Sequence, residues 1–335
     1  MHLLVTGGAG FIGSNFVRHV FATHPEYRVT VLDKLTYAGR LENLQELEGD
    51  PRYRFVRGDI ADAAVVDPLL AEVDAVVSFA AETHVDRSLL QPGSFILTDV
   101  YGVYVLLEAA KRSGTKRFLL VSTDEVYGQV LEGSSKESDN LDPRSPYSAS
   151  KAGGELLARA YFASYGVPVL VTRGSNTFGP YQYPEKMLPL FVTNAIDDQP
   201  LPLYGDGLQV RDWLYVADHC SGIDLVLHEG QPGEVYNLGG GNERTNLEMT
   251  ERILALLGKP RSLIRHVEDR PGHDRRYSLD TTKVRALGWR PAHDFDAALE
   301  TTVRWYVENQ GWWRAIKSGE YAEYYRQQYA ARLKG

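Results

Sequence analysis

The residues best suited to acid–base chemistry follow one apolar run in the first half of the chain. Asp124 and Glu125 come shortly after residues 118–121, and Tyr147 and Lys151 follow downstream with the spacing Tyr-x-x-x-Lys. Oxidation of an alcohol requires only one group that takes the hydroxyl proton while hydride leaves. The additional carboxyl pair therefore indicates that a second proton is removed and that a group is expelled. In the alternative interpretation, the two acids only cap a helix after the strand.

The elements that must position these residues alternate along the first half of the chain. Short β-branched or apolar runs are separated by helical patterns, which predicts a parallel, doubly wound α/β sheet of the Rossmann type. Beyond about residue 175, Gly, Pro and aromatic residues become frequent, which predicts a smaller, mixed lobe. The predicted strands are 3–5, 29–32, 54–56, 75–79, 118–121 and 169–172, and the predicted helices are 14–23, 64–72, 100–113, 151–165, 187–197, 246–257 and 295–310.

A glycine-rich turn follows the first predicted strand. Gly7, Gly10 and Gly13 are spaced Gly-x-x-Gly-x-x-Gly before a helix, where free backbone N–H groups and the helix dipole favour a pyrophosphate. The second strand ends at Asp33, whose carboxylate suits both ribose hydroxyls of NAD and repels a 2′-phosphate. Together these features predict NAD rather than NADP. The other predicted cofactor contacts are Phe11, Ile12, Lys34, Thr36, Asp59, Ile60, Ala80 and Ala81, of which Lys34 has the alternative of being merely solvated.

Tyr147 and Lys151 lie one helical turn apart and so share a face. An ammonium group near a phenol favours the phenolate, so Lys151 is expected to lower the pKa of Tyr147. Lys151 is also expected to hold the nicotinamide ribose, which makes both residues predicted cofactor contacts as well as catalytic ones.

These motifs carry a family resemblance. The glycine motif together with Tyr147 and Lys151 resembles the extended short-chain dehydrogenase/reductase superfamily, whose members often act on sugar nucleotides. Further motifs are similar to those of the dTDP-glucose 4,6-dehydratase family, and epimerases of the superfamily usually lack the Asp-Glu pair. The motifs that carry this closer resemblance are residues 33–39, 80–88, 122–128, 176–182 and 269–274.

The resemblance implies a hydro-lyase with tightly bound catalytic NAD+. Tyr147 would take the proton of the C4 hydroxyl, Thr123 would hydrogen-bond the same oxygen, and hydride would pass to NAD+. Glu125 would then remove the C5 proton while Asp124 donates to the departing C6 hydroxyl, and hydride would return to C6. The implied product is dTDP-4-keto-6-deoxyglucose. The spacing itself leaves open which of the two acids holds the proton.

The resemblance also implies a domain division and a set of substrate contacts. Residues 1–175 would form the NAD-binding Rossmann domain with the catalytic residues. Residues 176–335 would mainly form the sugar-nucleotide-binding lobe, with some strand or helix returning to the first domain. The substrate contacts would be Thr83, Asn176, Lys186, Leu188, Pro202, Tyr204, Arg211, Asn246, Arg270 and His273.

Other enzymes of the same scaffold remain open as alternatives. Nothing in the sequence fixes thymidine over uridine, so a dehydratase or 4-epimerase that acts on another nucleotide sugar, such as a UDP-sugar, is the nearest alternative. A catalytically silent NAD-binding protein would be expected to lack Tyr147, Lys151 or the acids, and all of them are present.

Composition restricts the class of protein further. The formal net charge of −8 argues against broad affinity for nucleic acid or a membrane surface, and so a diphosphate must be held by local cations. One cysteine, Cys220, excludes an intrachain disulfide and a multi-cysteine metal site, and it is expected to be a small apolar side chain in a helix. No metal site, signal peptide or membrane span is predicted. A cytoplasmic protein is therefore expected.

The chain departs from the family pattern at three places. Asp99 stands where the family usually has Asn before the helix at Val100, Thr177 replaces a second Asn, and Met187-Leu188 replaces Leu-Ile. The Asp99 change leaves the local polarity uncertain, whereas the other two should not change the reaction class. The resemblance further implies a homodimer in which the helices that contain Val100 and Lys151 pack with their mates in a four-helix bundle.

Overall fold

The main sheet of the computed structural model has seven strands, which are all parallel and run in the order β10-β6-β5-β4-β1-β2-β3. The structure describes residues 1–318, 320–329 and 332–333. The predicted fold class is confirmed: the six predicted strands are present, and β10 is a seventh that the sequence did not predict. The strands are β1 His2–Thr6, β2 Arg28–Asp33, β3 Tyr53–Arg57, β4 Ala75–Ser78, β5 Arg117–Thr123, β6 Val169–Gly174, β7 Asn176–Phe178, β8 Leu201–Tyr204, β9 Val210–Tyr215, β10 Val235–Leu238, β11 Glu243–Thr245 and β12 Ile264–Val267.

Helices cover both faces of this sheet. They are α1 Phe11–Thr23, α2 Ala63–Ala71, α3 Val85–Leu90, α4 Pro92–Phe95, α5 Val103–Ser113, α6 Pro146–Tyr165, α7 Met187–Ile196, α8 Val216–Glu229, α9 Asn246–Leu257, α10 Thr282–Ala286, α11 Phe295–Glu308, α12 Gln310–Ile316 and α13 Glu320–Tyr329. The seven predicted helices are all present, although α6 begins five residues earlier than predicted, at Pro146 rather than Lys151. Cys220 is buried in α8, as expected.

Alternation along the strands explains the two-sided packing. In β1, Leu3 and Val5 join one hydrophobic core, whereas Leu4 joins the core on the opposite face. Successive side chains of a strand point to opposite faces, so a strand that is apolar at every position is buried on both. The sheet therefore lies at the centre, with α1 and α8 on one face and α2, α5 and α6 on the other.

A third core holds the second half of the chain together. It contains residues of α7, α9 and α11, and the aromatic side chains Tyr306 and Trp313 are fully buried in it. Two small sheets, β11-β9-β7 and β12-β8, accompany this core. The division of the chain at residue 175 stays a prediction, and the predicted second unit includes residues 319, 330–331 and 334–335, which lie outside the described residues. One strand of the second half, β10, pairs with β6 and so belongs to the main sheet.

The helical stretch Pro92–Ser113 differs from the sequence prediction. No apolar run of membrane-span length was expected, but this stretch is long and apolar enough by length and composition alone. It is longer than predicted because α4, a π-helical segment at Ile96–Gly102 and α5 follow one another without a break. Half of its most apolar window is buried inside the protein, as in the core helix of a globular domain.

The carboxyl ends of the parallel strands position the site. β1 lies between β4 and β2, so the strand order reverses at β1. β2 and β3 lie on one side of it, and β4 and the later strands of the sheet lie on the other. Ligands of open α/β sheets bind in the crevice outside the carboxyl ends of the strands at such a switch point. Thr6, Asp33, Ser78 and Thr123 are the last residues of their strands and meet at this edge.

Candidate active site

A cavity of about 290 Å³ opens at this edge of the sheet. It brings together every predicted catalytic and cofactor-binding residue, although these residues come from segments far apart in the sequence. They are Gly7, Gly10, Phe11, Ile12, Gly13, Asp33, Lys34, Thr36, Asp59, Ile60, Ala80, Ala81, Thr123, Asp124, Glu125, Tyr147 and Lys151. Thr83, Asn176 and Lys186, three of the predicted substrate contacts, line the same cavity.

The glycine turn is packed so closely that only glycine fits. A Cβ atom on Gly7, whose φ is +70°, would lie 2.5 Å from the backbone nitrogen of Ala80, and one on Gly13 would lie 2.3 Å from the carbonyl oxygen of Gly7. Gly10 is the N-cap of α1 and provides no side-chain cap. The first N–H groups of a helix have no partner within that helix, so this end of α1 is suited to an anion.

Asp33 is held at the end of β2 by two backbone donors. The N–H of Ala9 donates to Oδ2 at 3.0 Å, and the N–H of Leu35 donates to Oδ1 at 2.8 Å. Burial raises the pKa of Asp33, while these two hydrogen bonds act against the rise. Next to it, Lys34 forms an ion pair with Asp59, and its side chain is 59% exposed.

The acidic pair lies in the first turn of a short 3₁₀ helix, Asp124–Tyr127. Thr123 is its N-cap: its hydroxyl accepts from the N–H of Glu125 at 3.2 Å and donates to Oδ1 of Asp124 at 3.1 Å. Oδ2 of Asp124 is buried and has no hydrogen-bond partner among the residues that the structure describes. The acids therefore do begin a helix. A role in capping alone, however, does not account for the buried Oδ2 of Asp124, which lacks a hydrogen-bond partner among the described residues.

The two acids differ in environment. Asp124 is 3% exposed, whereas Glu125 is only partly buried. Burial raises the pKa of Asp124 to about 8, the charge of Glu125 adds to the rise, and the charge of Arg211 opposes it. A carboxyl group with this pKa is mostly protonated at pH 7. The raised pKa favours the protonated form of Asp124, the acid that the resemblance implies as the proton donor.

Tyr147 and Lys151 lie on the first turns of α6. Ser145 and Ser148 form a capping box and Pro146 occupies the first turn, which together fix where this helix begins. Lys151 is buried, and its ammonium group donates to the backbone carbonyl of Val121 at 2.8 Å.

The pKa of Tyr147 differs from the sequence expectation. Burial raises it well above its ordinary value, the charges of Glu125 and Asp99 add to the rise, and a hydrogen bond with Thr123 acts against it. The expected lowering by Lys151 is not observed. Burial also lowers the pKa of Lys151, against the charges of Asp99 and Glu155. The ammonium group of Lys186 lies 6.0 Å from the centre of the Tyr147 ring and is a second cation near the phenol.

Asp99 is buried in the π-helical segment before α5, behind the catalytic helix. Its Oδ1 accepts from the N–H of Glu82 at 3.0 Å. Burial raises the pKa of Asp99 to about 6, while the charge of Lys151 and the hydrogen bonds from Ser150 and Glu82 lower it. The departure from the family pattern at this position therefore introduces a titratable group next to Lys151.

Two cationic residues of the second half lie close to the acids without lining the cavity. Arg211 is 5% exposed, and its guanidinium group donates to the carbonyls of Val210 and Asp274 at 2.7 and 2.9 Å. Arg270 donates to Oδ1 of Asp86 at 3.2 Å, and its buried Nε has no hydrogen-bond partner in the described part of the chain. The charge of Glu125 acts on both guanidinium groups.

The other predicted substrate contacts are divided between this region and the third core. The hydroxyl of Tyr204 donates to Oδ2 of Asp86 at 2.9 Å, and the ring of His273 lies 6.0 Å from the ring of Tyr204. Leu188 is 1% exposed and packs in the third core. Pro202 is buried in β8, and Asn246 begins α9; neither lines the cavity.

Sequence reasoning missed several residues that line the cavity, among them Tyr37, Glu185 and His219. Glu185 is 4% exposed and forms an ion pair with Arg87 at 2.8 Å. His219 is 2% exposed, and its Nδ1 lies 2.8 Å from the hydroxyl of Thr177. A signal existed for Glu185, because it precedes Lys186 in a mostly apolar segment, but His219 is an isolated residue of α8, a helix that only the expectation for Cys220 indicated.

Comparison with known proteins places the chain among sugar-nucleotide enzymes. A family model described as GDP-mannose 4,6 dehydratase matches residues 4–302. A dTDP-glucose 4,6-dehydratase of Streptomyces antibioticus is 54% identical over 323 residues, which are 95% of this chain and 96% of the relative.

Solved structures agree with this placement. The dTDP-glucose 4,6-dehydratase DesIV of Streptomyces venezuelae, solved with NAD and TYD bound, has a TM-score of 0.93 and 54% identity, with 95% of this chain and 100% of that chain covered. A UDP-glucose 4-epimerase of Thermus thermophilus, solved with NAD, has a TM-score of 0.85 and 32% identity, with 92% and 100% covered.

Proposed function

The chain belongs to the GDP-mannose 4,6-dehydratase family, and we propose that within it the protein is a hydro-lyase that converts dTDP-glucose to dTDP-4-keto-6-deoxyglucose. The observation that carries this proposal is the position of Asp124 and Glu125. Both acids line the same cavity as Tyr147, Lys151 and the glycine turn. The 4-epimerase alternative is less well supported, since the epimerase structure is 32% identical and the dehydratase structure is 54% identical.

The residues at one end of the cavity fit NAD+. The glycine turn would hold the pyrophosphate at the N-terminus of α1. A Cβ atom on Gly7 or Gly13 would overlap neighbouring backbone atoms, so only glycine lets the chain turn this tightly. Asp33 would accept from the adenosine ribose, and Lys151 would hold the nicotinamide ribose. When bound, NAD+ supplies a reversible two-electron acceptor, so a sugar can be oxidised at one carbon and reduced at another with no net oxidation.

Tyr147 would act first, on the C4 hydroxyl of the glucosyl unit. Its phenolate would take the hydroxyl proton while C4 becomes a ketone, and Thr123 would hydrogen-bond the same oxygen. The raised pKa of Tyr147 means that the phenolate requires additional positive charge in the cavity. Lys151 and Lys186 both line the cavity, and they would supply this positive charge. The ammonium group of Lys186 lies 6.0 Å from the centre of the Tyr147 ring.

Asp124 and Glu125 would then eliminate water. The C4 ketone acidifies the C5 proton, which Glu125 would remove. Asp124, whose pKa of about 8 keeps it protonated at neutral pH, would donate its proton to the C6 hydroxyl. The C6–O bond breaks, water leaves and a C5=C6 double bond forms. Reduction at C6 and reprotonation at C5 would complete the product.

Cations of the second half would neutralise the nucleoside diphosphate. Arg211 and Arg270 are near the acids, and guanidinium groups suit phosphate oxygens. Lys186 and Asn176 would contact the sugar and phosphates from the cavity wall, with Thr83 at the hexose. Leu188, Pro202, Tyr204, His273 and Asn246 would form the nucleoside end.

We also propose that the protein is a cytoplasmic homodimer. Apolar side chains are exposed on two helical stretches that pack against each other, Pro92–Ser113 and α6. On the first stretch, Ile96 is 53% and Leu97 is 61% exposed, and on α6 Leu156 is 52% and Tyr165 is 59% exposed. A second copy with the same face would cover both stretches and form a four-helix bundle. Leu97→Asp should then yield monomers in sedimentation experiments.

The reaction class and the nucleotide can be tested together. The purified, NAD-loaded protein would be incubated separately with dTDP-glucose, UDP-glucose and GDP-mannose, and the products would be identified by NMR. The expected result is a 4-keto-6-deoxy sugar from dTDP-glucose at the highest rate. Formation of a C4 epimer alone, or no product from any of the three, would contradict the proposal.

A further inference from the structure

Three of the nine histidines surround one aspartate where the ends of α1 and α8 meet. His19 and His24 come from the C-terminal end of α1, and Asp224 and His228 lie one turn apart on α8. None of these four residues lines the catalytic cavity. We call this group the α1–α8 histidine cluster.

The nitrogen and oxygen atoms of the cluster converge closely. Nε2 of His24 lies 3.0 Å from Oδ2 of Asp224, Nε2 of His19 lies 3.2 Å from the same oxygen, and Nδ1 of His228 lies 3.3 Å from Oδ1. Ligand atoms of a tetrahedral Zn²⁺ site with bonds near 2.0–2.1 Å are roughly 3.3 Å apart. The three nitrogen–oxygen separations are therefore close to those that one ion would require, and the ligand atoms of His24, Asp224 and His228 all lie within 4.8 Å of one another.

Each of these contacts joins a ring nitrogen to a carboxylate oxygen, and it needs either the N–H of the ring or a cation between the two atoms. The rings of His24 and His228 are stacked with centroids 4.9 Å apart. A single divalent cation takes the place of the ring protons and satisfies the nitrogens and the carboxylate at once. The side chains are 15–22% exposed at Asp224, His19 and His24, which leaves a path for an ion.

The surroundings also resemble those of a metal site. The hydroxyl of Tyr27 lies 2.9 Å from Nε2 of His228, and this contact orients the ring so that Nδ1 faces Asp224. Ligating histidines usually have such a partner on the other ring nitrogen. Without an ion, Nδ1 of His228 lies 2.8 Å from the backbone carbonyl of Asp224, so His228 must exchange this contact to become a ligand.

We propose that the α1–α8 histidine cluster binds one late first-row divalent cation, such as Zn²⁺. His24, Asp224 and His228 provide the core of the site, because their ligand atoms all lie within 4.8 Å of one another, and His19 lies beside it with Nε2 3.2 Å from Oδ2 of Asp224. Imidazole nitrogen with one carboxylate is a donor set that suits zinc, copper and nickel rather than magnesium or calcium. The bound ion joins α1 to α8 and so stabilises one face of the main sheet, apart from the catalytic cavity.

The test uses the full chain without a histidine tag. Zn²⁺ binding is measured by isothermal titration, and thermal unfolding is followed with and without one equivalent of ZnCl₂. The variants are His24→Ala and Asp224→Asn, and the matched control is His266→Ala, an exposed histidine on β12. Circular dichroism checks that each variant is folded, and His228→Ala replaces any variant that is not.

The expected result is one Zn²⁺ per chain, with a raised unfolding temperature. Loss of a ligand should weaken binding at least tenfold, whereas His266→Ala should leave it unchanged. Two results would overturn the proposal: no binding at micromolar Zn²⁺, or binding that His24→Ala and Asp224→Asn leave unchanged, which would mean that the ion is held elsewhere.

Discussion

The hydroxyl of Ser150 lies 2.7 Å from Oδ2 of Asp99, and it also lies 2.8 Å from the backbone carbonyl of Tyr147. A hydroxyl has one proton and cannot donate to both oxygens at once. Both contacts are satisfied when Asp99 is protonated and donates to Ser150, whose own proton then goes to the carbonyl. The neutral form of Asp99 satisfies both contacts, and its pKa of about 6 means that this form dominates only below about pH 6.

Asp99→Asn is therefore expected to stabilise the protein at neutral and alkaline pH. The pKa of Asp99 is about 6 in the folded protein against an ordinary value of 3.8, so its favourable contribution is fully present below about pH 4 and is lost as the pH rises through about 6. The amide would keep both hydrogen bonds without a charge. Urea unfolding should give an increase in the free energy of unfolding on the order of 2 kcal/mol at pH 8.

The same measurement at pH 5 provides the comparison. The difference between Asp99→Asn and the unmodified protein should shrink there, because Asp99 is then mostly protonated. Asp99→Ala is the control, since it leaves Ser150 and the N–H of Glu82 without their partner and should destabilise at both pH values. An Asn variant that is less stable than the unmodified protein at pH 8 would refute this interpretation of Asp99.

The alkaline limit of activity should be set by Asp124. In the proposed mechanism its proton goes to the departing C6 hydroxyl, and its pKa is about 8, so kcat/KM should fall as the pH rises through about 8. Asp124→Asn removes the proton donor and should reduce turnover by about 10²-fold or more. Its residual activity should lack this alkaline limb. If the limb persists unchanged in the Asn variant, another group is responsible.

Glu125 and Tyr147 should fail at different steps. Glu125→Gln should still oxidise the bound sugar and so accumulate reduced nicotinamide, because only removal of the C5 proton is blocked. Tyr147→Phe should instead slow the oxidation itself. Stopped-flow absorbance of reduced nicotinamide after mixing with substrate separates the two variants, and an equal loss of the signal in both would contradict the assigned roles.

The buried ion pair between Arg173 and Glu155 should be essential for the position of the catalytic helix. Both side chains are fully buried, Nε of Arg173 donates to Oε2 of Glu155 at 3.0 Å, and the pair joins β6 to α6. Glu155→Gln leaves a buried guanidinium without its charge partner and should cost about 3 kcal/mol or more in urea unfolding. The control Glu300→Gln, in an exposed pair with Arg304, should change stability by less than about 1 kcal/mol. Equal small effects of the two variants would show that the buried pair has no such role.

Local sequence signals were sufficient for the main sheet and for the cofactor end of the site. Strands that are apolar at every position, such as β1, and a glycine turn next to a helix are determined by neighbouring residues, so they can be recognised without the tertiary structure. The short strand β10 was missed because four residues after a Pro-Gly turn give little periodic signal, and only its pairing with β6 makes it a strand.

Features that depend on distant contacts could not be predicted. The raised pKa of Tyr147 results from burial and from Glu125 and Asp99, which lie on other elements. Leu188 is a predicted nucleoside contact, and its burial in the third core results from the packing of α7, which the sequence does not show. The histidine cluster joins residues 200 positions apart, so it becomes visible only when α1 and α8 are placed together.

The most direct test of the central claim follows one hydrogen atom. The NAD-loaded protein would be given dTDP-glucose that carries deuterium at C4, and the product would be examined by NMR. Oxidation at C4, loss of water from C5 and C6, and reduction at C6 within one site predict a 4-keto-6-deoxy product with the deuterium at C6. Deuterium that remains at C4, in an epimer or in unchanged substrate, would contradict the account.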